Sequence, residues 1–177
     1  MPLVKDGKIA ADLFVHVPDG AELPGDGAIL VPAARFLEDP QALLARAGKL
    51  GVIWPNNRDI DDLVPYLDRL AAVALVFPSF RDGRAYSQAR LLRERHEFRG
   101  ELRATGQVLR DQLLFLHRAG FDAFEVTKEK DTAAFTEALQ RYSIFYQPTG
   151  DGQPSALRAR LSRGPSSTVP ERQTFVR

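Results

Sequence analysis

Four arginines are concentrated in the middle of the 177-residue chain, where apolar runs end and helical patterns begin. The planar guanidinium of arginine binds carboxylates, phosphates and sulfur oxyanions in two-point contacts that lysine cannot copy. A glycine at a strand-to-helix turn lets an anion approach the backbone N–H groups of that turn. These residue types and spacings predict an anion-binding site with the candidate residues Arg81, Arg84, Arg103, Gly106 and Arg110.

Repeated strand–helix units position these arginines. Apolar, β-rich runs predict strands at 28–32, 50–55, 71–77, 101–104 and 122–126. Helical patterns follow at 39–48, 59–70, 83–98, 108–119 and 132–146, the fourth of which buries Leu109, Leu113 and Leu116. The chain is therefore predicted to be an α/β protein with a parallel sheet. Spacing alone does not separate an open three-layer sheet from a partial, half TIM-barrel-like sheet, which a second copy of the chain would complete.

Ligands of such proteins bind beyond the carboxyl ends of the strands. Four segments are expected to meet there as one rim, at residues 54–57, 78–87, 103–111 and 125–130. The alternative explanation is that the rim arginines form ordinary surface ion pairs, such as Arg81 with Asp82, which contribute little to stability. The sequence leaves these two explanations open.

Catalytic groups are less evident. Asp82 and Asp111 are candidate proton acceptors at the rim, but both lie at predicted helix starts, where capping is the simpler role. No metal site is predicted, because the three histidines have no partner at ligand spacing. No cofactor is evident, since the dinucleotide fingerprint, the P-loop and the nucleophile elbow are all absent. A flavin or nicotinamide bound without those motifs is not excluded.

The composition narrows the class of partner. A net charge of +1 gives no field that would hold nucleic acid or an anionic membrane, so neither is expected as a partner. The absence of cysteine rules out disulfides and thiol redox chemistry within the chain. The sequence also has no signal-peptide pattern and no apolar run long enough to span a bilayer, which predicts a cytoplasmic location.

The chain divides into three parts. Residues 1–27 are predicted to be an N-terminal strand and loop, residues 28–147 a single α/β domain, and residues 148–177 a flexible basic tail. Extra apolar residues near Phe115 and Tyr146 broaden two helices beyond what one sheet covers. They indicate either a homodimer contact or packing under the N-terminal segment.

The stretch FPSFRDGRAYSQARLLRERHEFRGELRATGQVLRDQLLFLHRAGFDAFEV, residues 77–126, resembles the central block of a bacterial family labelled a domain of unknown function, DUF 934. That family is often described as an oxidoreductase of sulfite reduction, because its genes tend to lie beside that of assimilatory sulfite reductase. The resemblance implies a place in sulfate assimilation and cysteine biosynthesis, with sulfite reductase as a partner. Its signature positions in this chain are Arg81, Asp82, Gly83, Arg84, Tyr86, Ser87, Arg103, Gly106, Arg110, Asp111 and Gln112.

Two hypotheses follow from the residues and the resemblance together. The first is an accessory protein of sulfite reductase whose arginine rim contacts the enzyme or a small oxyanion such as sulfite, sulfate or phosphate. The second is a small enzyme, an oxidoreductase or another oxyanion-binding enzyme of the barrel type, with its site on the same rim.

Overall fold

The computed structural model describes residues 2–126, 137–138, 144–149 and 154–162. Its centre is one eight-stranded sheet with the strand order β2-β1-β8-β7-β6-β5-β4-β3. The strands are β1 Leu3–Lys5, β2 Lys8–Ala10, β3 Phe14–His16, β4 Ala28–Pro32, β5 Leu50–Trp54, β6 Ala72–Phe77, β7 Glu101–Gly106 and β8 Ala123–Glu125.

Strands β3 to β8 are parallel and lie side by side in chain order, as repeated strand–helix units predict. The hairpin β1–β2 adds two antiparallel strands beside β8. Its two-residue loop is Asp6 and Gly7, both with positive φ, which is the turn geometry that matches the twist of a hairpin.

The sheet is curled rather than flat. A flat sheet of eight strands would hold its two edge strands about 34 Å apart, since neighbouring strands are separated by about 4.8 Å. The edge strands here are β2 and β3, and the chain from Ala10 to Phe14 spans at most about 14 Å. The short linker therefore brings the two edges together, and of the two predicted architectures the partial-barrel one is confirmed.

The curled sheet has two different faces because side chains alternate along each strand. The outer face carries large apolar residues such as Val52 and Leu75, which pack with helices in the main core. The inner face carries a smaller cluster made of Phe14, Leu30, Ala72 and Ala74.

The helices are shorter than their predicted patterns. They comprise α1 Ala33–Glu38, α2 Pro40–Leu44, α3 Arg84–Arg90, α4 Leu113–Arg118, α5 Ala156–Ser162, a π-helical segment Leu91–Arg95, and 3₁₀ segments Ile60–Asp62, Val64–Arg69 and Arg110–Gln112. None of the helices in the described part of the chain is long and apolar enough to cross a membrane.

The helices predicted from the sequence have different outcomes. The regular helix predicted at 59–70 is wrong: two 3₁₀ segments replace it, where Pro65 has no N–H to donate and Asp59 caps the first turn. The predicted burial of Leu109 is also wrong, since its side chain is 40% exposed. The helix predicted at 132–146 falls mostly outside the described residues. Helix α5 lies within 148–177, the part predicted to be a flexible tail.

Candidate functional site

The rim at the carboxyl ends of β5 and β6 contains an open pocket of about 390 Å³. Asn56 and Arg58, which follow β5, line one side of this rim pocket, and Arg84, Ser87 and Gln88 of α3 line the other. The predicted segments 54–57 and 78–87 therefore do meet, whereas most of the predicted segment 125–130 lies outside the described residues.

Two polar residues of the rim pocket, Asn56 and Gln88, are buried. Each of these two residues is only 7% exposed. Gln88 donates from Nε2 to the carbonyls of Pro55 and Arg58, at 3.2 and 2.8 Å, which fixes the orientation of its amide. Gln88 Oε1 makes no hydrogen bond within the described structure, whereas the Asn56 amide interacts with the Asp82 carboxylate. Buried polar groups are normally paired, so the Gln88 carbonyl oxygen is an exception at this place in the rim.

Arg84 and Asp82 form a two-point ion pair at the edge of the rim pocket. Arg84 Nε and Nη2 donate to the two Asp82 oxygens at 3.0 and 2.7 Å. These hydrogen bonds hold the pKa of Asp82 well below its ordinary value, and the Arg84 N–H and the Asn56 amide contribute in the same direction against burial. A carboxylate with a lowered pKa is a weak proton acceptor, so the geometry disfavours Asp82 as a general base.

Arg81 and Arg110 belong to a second surface of the rim. Both are exposed, and neither pairs with a carboxylate among the described residues. The Arg81 guanidinium lies 5.4 Å from the centre of the Phe80 ring, and Phe80 is 47% exposed. Leu109, beside Arg110, is the exposed apolar residue noted above. We call Phe80, Arg81, Leu109 and Arg110 the rim patch.

Glutamine side chains hold the rim patch together. Gln112 Nε2 donates to the Phe80 carbonyl at 3.0 Å, while Gln112 Oε1 accepts from the Leu109 N–H at 3.2 Å. Gln107 Oε1 accepts from the Phe80 N–H at 3.4 Å. The loops after β6 and β7 are thus joined, and Gln112, a signature position, has a positioning role.

Glycine is required at the turn after β7. Gly106 has a φ of +92°, and a Cβ there would lie 2.5 Å from the Phe77 carbonyl oxygen. Among the other signature positions, Gly83 is the N-cap residue of α3. Tyr86 packs edge-on against Phe77 at 5.3 Å between ring centres, and burial raises its pKa to about 12. Asp111 is exposed on the 3₁₀ segment that precedes α4.

Arg103, the remaining anion-binding candidate, is separated from the others. It points to the inner face of the sheet and is fully buried. Its guanidinium makes a two-point contact with Asp12 at 2.8 and 2.9 Å, and further bonds to Glu101 at 2.9 Å and Glu125 at 3.2 Å. All its donors face carboxylates of the protein itself, so Arg103 holds neighbouring strands and the segment before β3 together in this structure.

These groups form a charge cluster around Arg103 that reaches from buried to exposed residues, and sequence reasoning missed it. It comprises Lys5, Asp12, His16, Glu101, Arg103, Thr105 and Glu125. Strands β3 and β7 would be about 19 Å apart in a flat sheet, four spacings of about 4.8 Å. The contacts of Arg103 with Asp12 and with the Phe14 ring at 5.5 Å are possible only because the sheet curls.

The carboxylates of the cluster are held in their charged form. Burial alone would raise the pKa of Asp12, but the hydrogen bonds from Arg103 and from the Phe14 N–H outweigh it and lower the pKa. The pKa of Glu125 is also lowered, because hydrogen bonds from His16, Thr105 and Arg103 outweigh the effect of burial. The pKa of Arg103 is raised, since its carboxylate partners outweigh its own desolvation.

Asp12, His16 and Glu125 each offer one ligand atom, and these atoms lie within 4.8 Å of one another. Side chains of these types bind divalent metals. Both oxygens of Asp12 already accept from Arg103, and both oxygens of Glu125 accept from Arg103, Thr105 or His16. An ion would therefore have to compete with a buried guanidinium, so the arrangement suits internal ion pairing better than metal binding.

A protein-family model matches more than half of the chain. No curated protein matches the chain. Residues 51–157 match the family described as bacterial protein of unknown function, DUF934, and this span includes both sides of the rim pocket and the rim patch. The chain belongs to this family.

Proposed function

We propose that this protein is an accessory of assimilatory sulfite reductase, acts in the cytoplasm, and docks on the enzyme through the rim patch. The observation that carries the docking step is the rim patch itself, where two exposed arginines pair with no carboxylate among the described residues and lie beside two exposed apolar side chains. Arginine and aromatic residues are enriched among the residues that dominate protein–protein binding energies. The link to sulfite reduction comes from the family resemblance of residues 77–126.

The chemistry of the rim patch defines what it contacts. Arg81 and Arg110 present guanidinium groups that match carboxylates in two-point contacts. Phe80 and Leu109 add apolar surface that would be buried on association. The complementary surface on the enzyme is therefore acidic, with an apolar centre. Because the two loops are already joined through Gln112, little ordering entropy is lost on binding.

The binding test uses purified protein and purified sulfite reductase from the same bacterium in biolayer interferometry. Replacing both rim arginines, Arg81→Glu with Arg110→Glu, should weaken binding at least tenfold, a change of about 1.4 kcal/mol. The matched control is Arg95→Glu, an exposed arginine at the end of the π-helical segment, which should leave affinity unchanged. Equal affinity for wild type and the double variant would reject docking through the rim patch.

The cellular test compares sulfur sources. A deletion strain should fail to grow on sulfite and should recover on sulfide, because sulfide enters after the reduction step. The Arg81→Glu, Arg110→Glu gene should fail to complement the deletion on sulfite. Equal growth of the deletion strain on both sources would separate the protein from sulfite reduction altogether.

The rim pocket favours the second candidate function, a small enzyme acting on an oxyanion at the carboxyl ends of the strands. The weak basicity of Asp82 counts against general base catalysis at that position. The two candidates differ in one measurement, because only an enzyme would consume sulfite when purified and supplied with a chemical reductant. Turnover that Arg84→Gln abolishes would favour the enzyme over the accessory.

A further inference from the structure

The helical layer outside the curled sheet stops before the two edge strands. Val4 of β1 and Ile29 of β4 face outward and are fully buried in the main core. Their neighbours in the sheet are Ile9 of β2 and Val15 of β3, which are paired with them and share the outer face. Ile9 and Val15 are nevertheless more than half exposed. No helix in the described part of the chain therefore covers the outer face of β2 and β3.

Leu13, in the linker between β2 and β3, extends this uncovered surface along the chain. It is the most exposed of the three apolar residues, at 71%. We call Ile9, Leu13 and Val15 the bare strip. A sheet built from parallel strands normally has both faces covered, and exposed apolar surface of this kind marks an interaction site. The bare strip thus lacks the helix that packs on the outer face of the other strands.

Helix α5 has an apolar face that no strand covers. Leu157 and Leu161 are four residues apart, so they share one face of the helix, and they are 68% and 76% exposed. Successive residues of a helix are rotated by about 100°, which places Arg158 and Arg160 on either side of this leucine face. Both arginines are exposed, whereas Ala156 is buried on another face. Helix α5 therefore presents two leucines between two arginines to its surroundings.

The charges of the two surfaces are complementary. Residues 1–27 contain five acidic residues and two lysines. Asp6 shortly precedes the bare strip in the chain and Asp19 shortly follows it, and both are exposed without a cationic partner among the described residues. Helix α5 contains no acidic residue, and its Arg158 and Arg160 pair with no carboxylate in the part of the chain that the structure describes. Opposite charges thus accompany two apolar surfaces that both lack a partner.

We propose that two copies of this chain form a symmetric dimer in which α5 of each copy packs on the bare strip of the other. Leu157 and Leu161 contact the bare strip, and Arg158 and Arg160 meet the carboxylates at its ends. Within one copy both surfaces are exposed, so α5 does not cover its own bare strip. A two-fold dimer makes the contact twice, because each copy supplies one helix and one strip. The dimer uses neither the rim patch nor the rim pocket, so it does not rest on the proposed function.

Sedimentation equilibrium of the full chain measures the assembly. Wild type should reach twice the chain mass of 19.7 kDa and dissociate on dilution. Leu157→Glu with Leu161→Glu, and separately Leu13→Lys, should each weaken the dimer at least tenfold, because each buries a charge beside charges of the same sign. The matched control is Phe115→Glu, at an exposed position on α4, which should leave the dimer intact. A wild type of single-chain mass at protein concentrations up to about 1 mM, or a dimer that survives the leucine variants, would overturn the proposal.

Disulfide trapping identifies which surfaces meet, because the chain contains no cysteine of its own. An oxidised mixture of Leu13→Cys protein and Leu161→Cys protein should give a product that contains one copy of each. The control mixture of Leu13→Cys and Phe115→Cys should not. If both substitutions in one chain gave a crosslink within a single chain at high dilution, α5 would cover its own bare strip and the proposal would be wrong. Docking through the rim patch is tested with Arg81 and Arg110, so either proposal can fail alone.

Discussion

Removing the buried charge of Arg103 should destabilise the protein more than removing any exposed arginine. Arg103 is fully buried and bonds to Asp12, Glu101 and Glu125. Arg103→Met keeps much of the side-chain volume and removes the charge. Glu101 then retains Lys5 at 2.6 Å, but Asp12 loses both of its guanidinium contacts.

The expected loss follows from the burial of Glu125, whose side chain is 7% exposed, whereas the Asp12 side chain is one-third exposed and can be hydrated. Breaking a buried ion pair by removing one member costs about 3–5 kcal/mol, because a buried charge is left without compensation. The matched control is Arg90→Met, which removes an exposed pair with Glu94 four residues away. Exposed pairs of this spacing contribute about 0.3–0.5 kcal/mol. The difference between the two variants should therefore exceed about 2.5 kcal/mol.

Urea denaturation measures this loss as a shift in the midpoint at an unchanged slope. Domains of this kind are stable by only about 5–15 kcal/mol, so the loss expected for Arg103→Met is a large part of the total. Arg103→Lys is a milder variant, because it keeps the charge and loses only the two-point contact with Asp12. The double variant Arg103→Met, Glu125→Gln should recover part of the loss, because it removes a buried carboxylate that has lost its guanidinium partner. A loss below about 1 kcal/mol for Arg103→Met would refute the reasoning and show that water reaches the cluster.

Two further outcomes follow from the same structure. Because the pKa values of Asp12 and Glu125 are lowered by folding, both groups contribute stability that is fully present above their unfolded pKa values, 3.8 and 4.5, and is lost as the pH falls through their folded pKa values. The free energy of unfolding of wild type should therefore fall more steeply with decreasing pH than that of Arg103→Met. Parallel curves for the two proteins would contradict this. Gly106→Ala should lower the free energy of unfolding by about 1–3 kcal/mol, because Gly106 has a positive φ and lies close to the Phe77 carbonyl. The control is Gly25→Ala, whose added Cβ would have nothing within 4 Å. It should change stability by less than about 0.5 kcal/mol in the same melting assay.

The parallel part of the sheet could be predicted from the sequence because its signal is local. Strands β4 to β7 lie within two residues of their predicted bounds, since buried parallel strands are continuous apolar runs. The positions of the rim loops follow from those strands. The strands β1 to β3 have only three residues each, which is too short for a periodic pattern to be recognised.

The role of Arg103 could not be predicted because it depends on closure of the sheet. Its main partner, Asp12, is 91 residues away in the chain and reaches it only through the curl. One sequence signal was available: Glu101, Arg103 and Thr105 alternate with apolar residues in a strand of the parallel sheet. Polar residues at a period of two in such a strand share one face, so that face must contain polar partners.

The same argument explains why one stretch of sequence contains arginines with different roles. An arginine inside a strand of this sheet points to one of two covered faces, so it needs internal carboxylates, as Arg103 has. An arginine in a loop after a strand is exposed to solvent, as Arg81 and Arg110 are. The charges of Arg81 and Arg110 are available to a ligand or a partner because neither pairs with a carboxylate in the part of the chain that the structure describes, whereas Arg84 is already paired with Asp82. The position of an arginine relative to the end of its strand, rather than its membership of the signature, therefore decides which of these residues can bind an external anion.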